Sequence, residues 1–329
     1  EGQRMSIPNL FPNVAYNGGF TQTGNMFIAS GSVWLPAEVS IHRGDTLLAT
    51  FSATTFLMSK NSINATSAAV DIKMGDGAIT HPGVLFSYTQ STRTIELTHS
   101  SKGIAQAKYR DSYHKMNIEA ELLRWNIDQN NIDISQVDGS PQNIAYFESD
   151  AYYSEDVFNK LWGMNDIHPF QVIADFVRYH GGGGFPVQDF AQYAQMSEQD
   201  AIYLLMQLSY DGFVEFYYER GVCRATDRLY DYLKFNLGKK DYDEMMFVSI
   251  DSTASAPNGY ISLDDNNIHL RKVAGVQISK KQNSYLWPDH ASGGELVLRA
   301  NRDIDYDGTV IVGQVTMKGK SSHFDYDDY

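Results

Sequence analysis

Asp303-Ile304-Asp305-Tyr306-Asp307-Gly308 sets three carboxylates at alternate positions ahead of a glycine. This spacing opens a Ca2+-binding loop, where oxygen ligands surround a hard cation and the glycine makes a sharp turn. The twelfth position of such a loop is Gln314 rather than a bidentate Glu, and the following residues read as strand. Asp303, Asp305 and Asp307 are the candidate Ca2+ ligands, set against the simpler reading of a solvated Asp-Gly hairpin turn.

Glu119 and Glu121 form a second constellation. Two positions apart on a strand they share a face about 7 Å apart, within the range of an inverting glycosidase pair. His114 is close in sequence and Trp125 is a possible sugar platform. Alternating acids on the wet face of a strand are ordinary, and no catalytic residue is assigned. The nine His are scattered without HExxH or a close pair, so zinc has little support. Cys223 is the single cysteine, which excludes an internal disulfide and reads as a packing position. No GxSxG occurs, and Gly181 to Gly184 fit no phosphate-binding pattern. Arg43-Gly44-Asp45 reads as a hairpin turn.

The elements that must carry these residues are mainly strands. Val39 to His42 and Thr46 to Phe51 flank Arg43-Gly44-Asp45, Ala69 to Met74 runs into Gly75-Asp76-Gly77, and Val84 to Tyr88 and Thr94 to Thr98 flank another turn. Such spacing suits a sandwich, a barrel or a stacked β-roll. From Ser154 the period changes to that of helices. Ser154-Glu155-Asp156 opens one, Pro169 sits at the first position of the next, and Ser197-Glu198-Gln199-Asp200 caps another. Two short strands around Glu219-Arg220-Gly221 and a closing helix follow. Over residues 166–236 this order resembles a winged helix. Strands resume from Met245, and the glycine-punctuated stretches 19–31 and 308–319 echo one another like rungs of a roll or solenoid.

The expected fold is mixed and mainly β, with stacked β-roll/solenoid or sandwich-like segments flanking the winged-helix-like α+β module. The units are 1–150, 151–240 and 241–329, the last packed with or similar to the first.

Charge bears on partners. The 329 residues carry 26 Lys+Arg and 40 Asp+Glu, a net −14. From Gly181 to Glu219 there is no Lys or Arg, while Asp189, Glu198, Asp200, Asp211, Glu215 and Glu219 are acidic. A recognition helix needs cations for phosphate, so nucleic acid is disfavoured as a partner. Glu198, Tyr203 and Gln207 are the candidate protein-contact residues of the acidic third helix. No apolar run reaches the roughly 20 residues of a membrane span. The chain opens on Glu1 without a leader-like segment and stops on Phe324-Asp325-Tyr326-Asp327-Asp328-Tyr329, which reads as a processed or excised piece.

Gly18-Gly19-Phe20, Phe27-Ile28-Ala29-Ser30-Gly31, Ala68-Ala69-Val70, His81-Pro82-Gly83, Ser112-Tyr113-His114, Asp227 to Tyr232, Asn301-Arg302-Asp303 and Asp307-Gly308 together carry a resemblance. The chain resembles an internal stretch of a family of very large envelope-associated proteins of Gram-negative bacteria. The resemblance implies a β-rich scaffold around a winged-helix-like insert, a cell-envelope location (periplasm or outer-membrane associated) and no catalytic residues. The expected function is a structural and protein-interaction module of a larger assembly. The rival is carbohydrate binding or hydrolysis through Tyr/Trp surfaces and Glu119/Glu121.

Overall fold

A computed structural model describes residues 4–23, 26–31, 35–99, 107–137, 139–140, 143–162, 167–217, 221–251, 256–289 and 293–328. Among the described residues strands take 53% and helices 18%, so the fold is mainly β as expected.

The first stretch of chain folds into β1 (Arg4–Phe11), β2 (Val14–Thr23), β3 (Met26–Ser30), β4 (Ala37–Arg43), β5 (Thr46–Ala53), β6 (Thr55–Met58) and β7 (Ser62–Met74). It continues with β8 (Gly77–Thr89), β9 (Thr94–Thr98), β10 (Tyr109–Asp111), β11 (Met116–Ala120), β12 (Leu122–Asn126), β13 (Asn131–Ser135) and β14 (Asn143–Ser149). Next come α1 (Glu155–Trp162), α2 (Pro169–His180), β15 (Phe185–Pro186), α3 (Val187–Tyr193), α4 (Glu198–Tyr210), β16 (Val214–Tyr217), β17 (Val222–Ala225) and α5 (Asp227–Asn236). The chain returns to strands in β18 (Met246–Asp251), β19 (Gly259–Ser262), β20 (Ile268–Leu270) and β21 (Val273–Ser279). It ends in β22 (Ser284–Pro288), β23 (Leu296–Leu298), β24 (Ile304–Val312) and β25 (Val315–Phe324).

Alternation decides which face goes inside. In β11, Met116, Ile118 and Ala120 are buried while Asn117 and Glu119 between them are partly exposed. The long strands bend so that their halves pair differently. In β7, residues 69–72 pair with β5 and residues 63–64 with β6. In β24, residues 304–306 pair with β23 and residues 308–312 with β22. The pairings therefore close on themselves. From β2 they run through β4, β5, β7, β6 and β3 back to β2, a circuit of six strands. From β8 they run through β10, β11, β14, β18, β21, β22 and β24, then return through β23, β20, β19, β13, β12 and β9. The β7–β8 hairpin is the wall between the two circuits. One apolar core runs from Val14 to Phe324, so the strands before and after the helices share a single sheet system.

Among the described residues β1 and β25 pair on one side only. The two glycine-punctuated stretches each lie on one antiparallel hairpin, β2–β3 and β24–β25. Within each, one strand folds back on the other.

The helices have their own core around Phe170, Leu205, Phe213 and Tyr232. The α4 cap is the one the sequence announces, with Ser197 Oγ accepting the Asp200 amide. Pro169 opens α2, and its cap is His168. β16 and β17 pair as expected, and Phe185–Pro186 adds a third strand that sequence spacing did not indicate. Among the described residues no helix is long and apolar enough to cross a membrane.

Candidate functional site

The outer face of α4 carries the expected contact residues. Tyr203 is 74% exposed; Glu198 and Gln207 are also exposed. The Glu198 carboxylate accepts the Gln188 side-chain amide at 3.3 Å from neighbouring α3. Tyr179 of α2 and Tyr193 of α3 stack at 5.8 Å, and Tyr179 is 79% exposed. This end of the helical module presents phenol rings and carboxylates.

The module is fastened to the strands through α5 and through the C-terminal end of α4. Glu148 of β14 accepts Arg228 Nη2 of α5 at 2.7 Å and Lys108 Nζ at 2.9 Å. Burial pushes the Glu148 carboxyl up, but the two cations outweigh it and hold it below the usual range. Arg228 also lies over the rings of Phe213 and Tyr232. Tyr210 donates to Glu119 at 3.2 Å. Burial, and then the Glu119 carboxylate, push that phenol up to about 12. Beside these contacts lies a cleft of about 630 Å3, bordered by Asp71, Lys108, Arg110, Asp211, Arg224 and Arg228. Burial pushes the Asp211 carboxyl up. Its walls alternate in charge, and neither a nucleophile with its base nor a uniform anion cradle is assembled among these residues.

The carboxylate pair does not converge. Glu119 serves Tyr210, whereas Glu121 accepts Ser140 Oγ at 2.7 and 2.8 Å. Trp125 is 2% exposed, with its indole N–H donated to the Gln129 carbonyl, so it is core and not a platform. His114 is fully buried against Asp111 at 2.5 Å and does not join the glutamates. Cys223 is buried, and burial pushes its thiol up, away from the nucleophilic form.

Asp303 to Gly308 form neither a Ca2+ loop nor a hairpin turn, because Ile304–Val312 is strand and the turn comes at Gly313. Gly308 is required for closeness: a Cβ there would lie 2.2 Å from the Trp287 carbonyl oxygen. The three carboxylates have separate protein partners. Asp303 accepts the Tyr326 amide at 3.0 Å, Asp305 accepts Arg299 Nε at 2.5 Å and Asp307 accepts the Ser321 amide at 2.5 Å. The metal-type grouping that does assemble is Asp303, His323 and Asp325, whose ligand atoms lie within 4.8 Å of one another. His323 sits opposite Asp305 across the β24–β25 ladder, a register that residue spacing alone did not show. Arg43-Gly44-Asp45 is a hairpin turn, and Arg43 is engaged by the Ile127 and Gln129 carbonyls.

Comparison with protein-family models, with curated proteins and with solved structures finds no match to this chain.

Proposed function

We propose that the chain is a non-enzymatic structural and protein-interaction module of a larger cell-envelope assembly. The strand body acts as a roll-like scaffold, and the helical part, winged-helix-like in its order of elements, offers the outer face of α4 to a protein partner. The observation that carries this reading is that face itself. Tyr203 stands 74% exposed, beside Glu198 and Asp200, in a stretch from Gly181 to Glu219 without Lys or Arg. An exposed phenol amid carboxylates suits a protein surface with cationic side chains around an apolar contact. The same charge repels phosphate, which argues against nucleic acid. The one-sided pairing of β1 and β25 leaves two strand edges available within an assembly. The envelope location rests on the family resemblance.

The test is co-purification from cells of the source organism, comparing the native chain with a Glu198→Lys/Tyr203→Ala double variant. The reading expects a defined set of envelope proteins whose recovery falls at least tenfold with the variant, while the variant's circular dichroism is unchanged. Equal recovery with both chains overturns it.

A further inference from the structure

We propose that Asp303, His323 and Asp325 form a binding site for a divalent transition cation of the zinc class. His323 Nδ1 lies 2.6 Å from Asp305 Oδ1, a carboxylate that can only accept there, so Nδ1 carries the proton. In the neutral imidazole Nε2 then keeps its lone pair, and it lies 4.0 Å from Asp303 Oδ2. A ligating histidine is oriented in this way, its other nitrogen donating to a carboxylate behind it. Asp305 is itself held by Arg299 Nε at 2.5 Å.

The two flanking carboxylates are similarly half used. Asp303 Oδ1 takes the Tyr326 amide at 3.0 Å, and Asp325 Oδ1 takes the amides of Asp327 and Asp328 at 3.1 and 3.2 Å. Among the described residues each keeps one oxygen for a cation. Ligand atoms around a tetrahedral zinc are about 3.3 Å apart, from bonds near 2 Å, so the present spacing needs only a small contraction of partly exposed side chains. The two arginines of the segment do not compete for the position. Arg299 is on Asp305, and Arg302 is on Asp243 and Asp327. Three protein ligands leave a fourth position for water. The imidazole nitrogen selects zinc, cobalt or nickel over calcium, which prefers oxygen throughout. The cation would tie the end of β25 to the start of β24.

The experiment is titration of the full chain with ZnCl2 by calorimetry, with CaCl2 as comparison and Co2+ absorption as a second readout. Expected is one saturable zinc site, a tetrahedral Co2+ band, and at least tenfold weaker binding in His323→Ala and in Asp303→Asn. Asp305→Asn, a positioning residue, weakens binding about tenfold. The site is overturned by absence of saturable zinc binding, by calcium binding more tightly than zinc, or by one-site binding that survives His323→Ala. If a variant misfolds, loss of the Co2+ band when zinc is added to the native chain, with a zinc-dependent shift of the His323 imidazole signals, still decides the matter: no shift overturns the site.

Discussion

His81 and His168 each precede a proline, and each accepts the amide two residues on. Gly83 N–H reaches His81 Nδ1 at 3.0 Å and Phe170 N–H reaches His168 Nδ1 at 3.1 Å. Since an amide only donates, the second nitrogen holds the proton and donates to the Ala107 or Phe158 carbonyl. Protonating Nδ1 would set one N–H against another. Burial, then the neighbouring His99, push His81 down to about 3, and burial pushes His99 down to about 4. The sign follows. Above pH 6.5 both states are neutral; below it the unfolded chain takes up protons that the fold refuses. Stability is lost as pH falls from 6.5 towards 4, approaching about 1.4 kcal/mol per pH unit for each imidazole. Urea midpoints measured from pH 7 to pH 4 check this, and His99→Gln flattens the slope. Glu148 adds its own loss only below its ordinary range near 4.5. Replacing Glu148 by Gln leaves Arg228 and Lys108 facing each other uncompensated, at a cost of about 3 kcal/mol, read by chemical denaturation. The His-Pro dipeptides are visible in the sequence, but a roll of scattered histidines hides them; the signal is the missing proline amide, which leaves the imidazole to take the next one.

At the scale of elements, helices and hairpins were legible for a local reason. Caps such as Ser197, the first-turn Pro169 and the turn glycines Gly44 and Gly75 act within a few residues. Pairing between distant strands was not legible. β13 finds β19, and β14 finds β18, across the whole helical module, and no local spacing encodes that. The same limit misread Asp303 to Gly308. Alternating aspartates before a glycine look like a loop, yet their outward alternation is that of a strand, and the glycine answers to Trp287 on β22. Gly308→Ala is expected to lower stability by about 2 kcal/mol, seen as a lower urea midpoint. A change within 0.3 kcal/mol would contradict the close approach of β22 and β24.

At the scale of the molecule, two closed strand circuits share the β7–β8 wall and one core, and the helical module is fastened to them through Glu148 and Tyr210. The sequence made the mainly β character and the intervening helical segment legible. It left open whether the outer segments join, because joining is settled by register between residues more than a hundred apart. The candidate site divides in the same way. The acidic, aromatic face of α4 follows from helical period, whereas the Asp303–His323–Asp325 grouping depends on strand register. The central claim is that the α4 face meets a protein partner. It is tested most directly by placing a photoreactive phenylalanine derivative at position 203, since the stretch between Lys160 and Lys234 holds no lysine for amine cross-linkers. Irradiation in cells of the source organism should give one reproducible adduct to an envelope protein, absent when the same group is placed at exposed position 60 of the strand body. No adduct at 203, or the same adducts from both positions, would contradict the account.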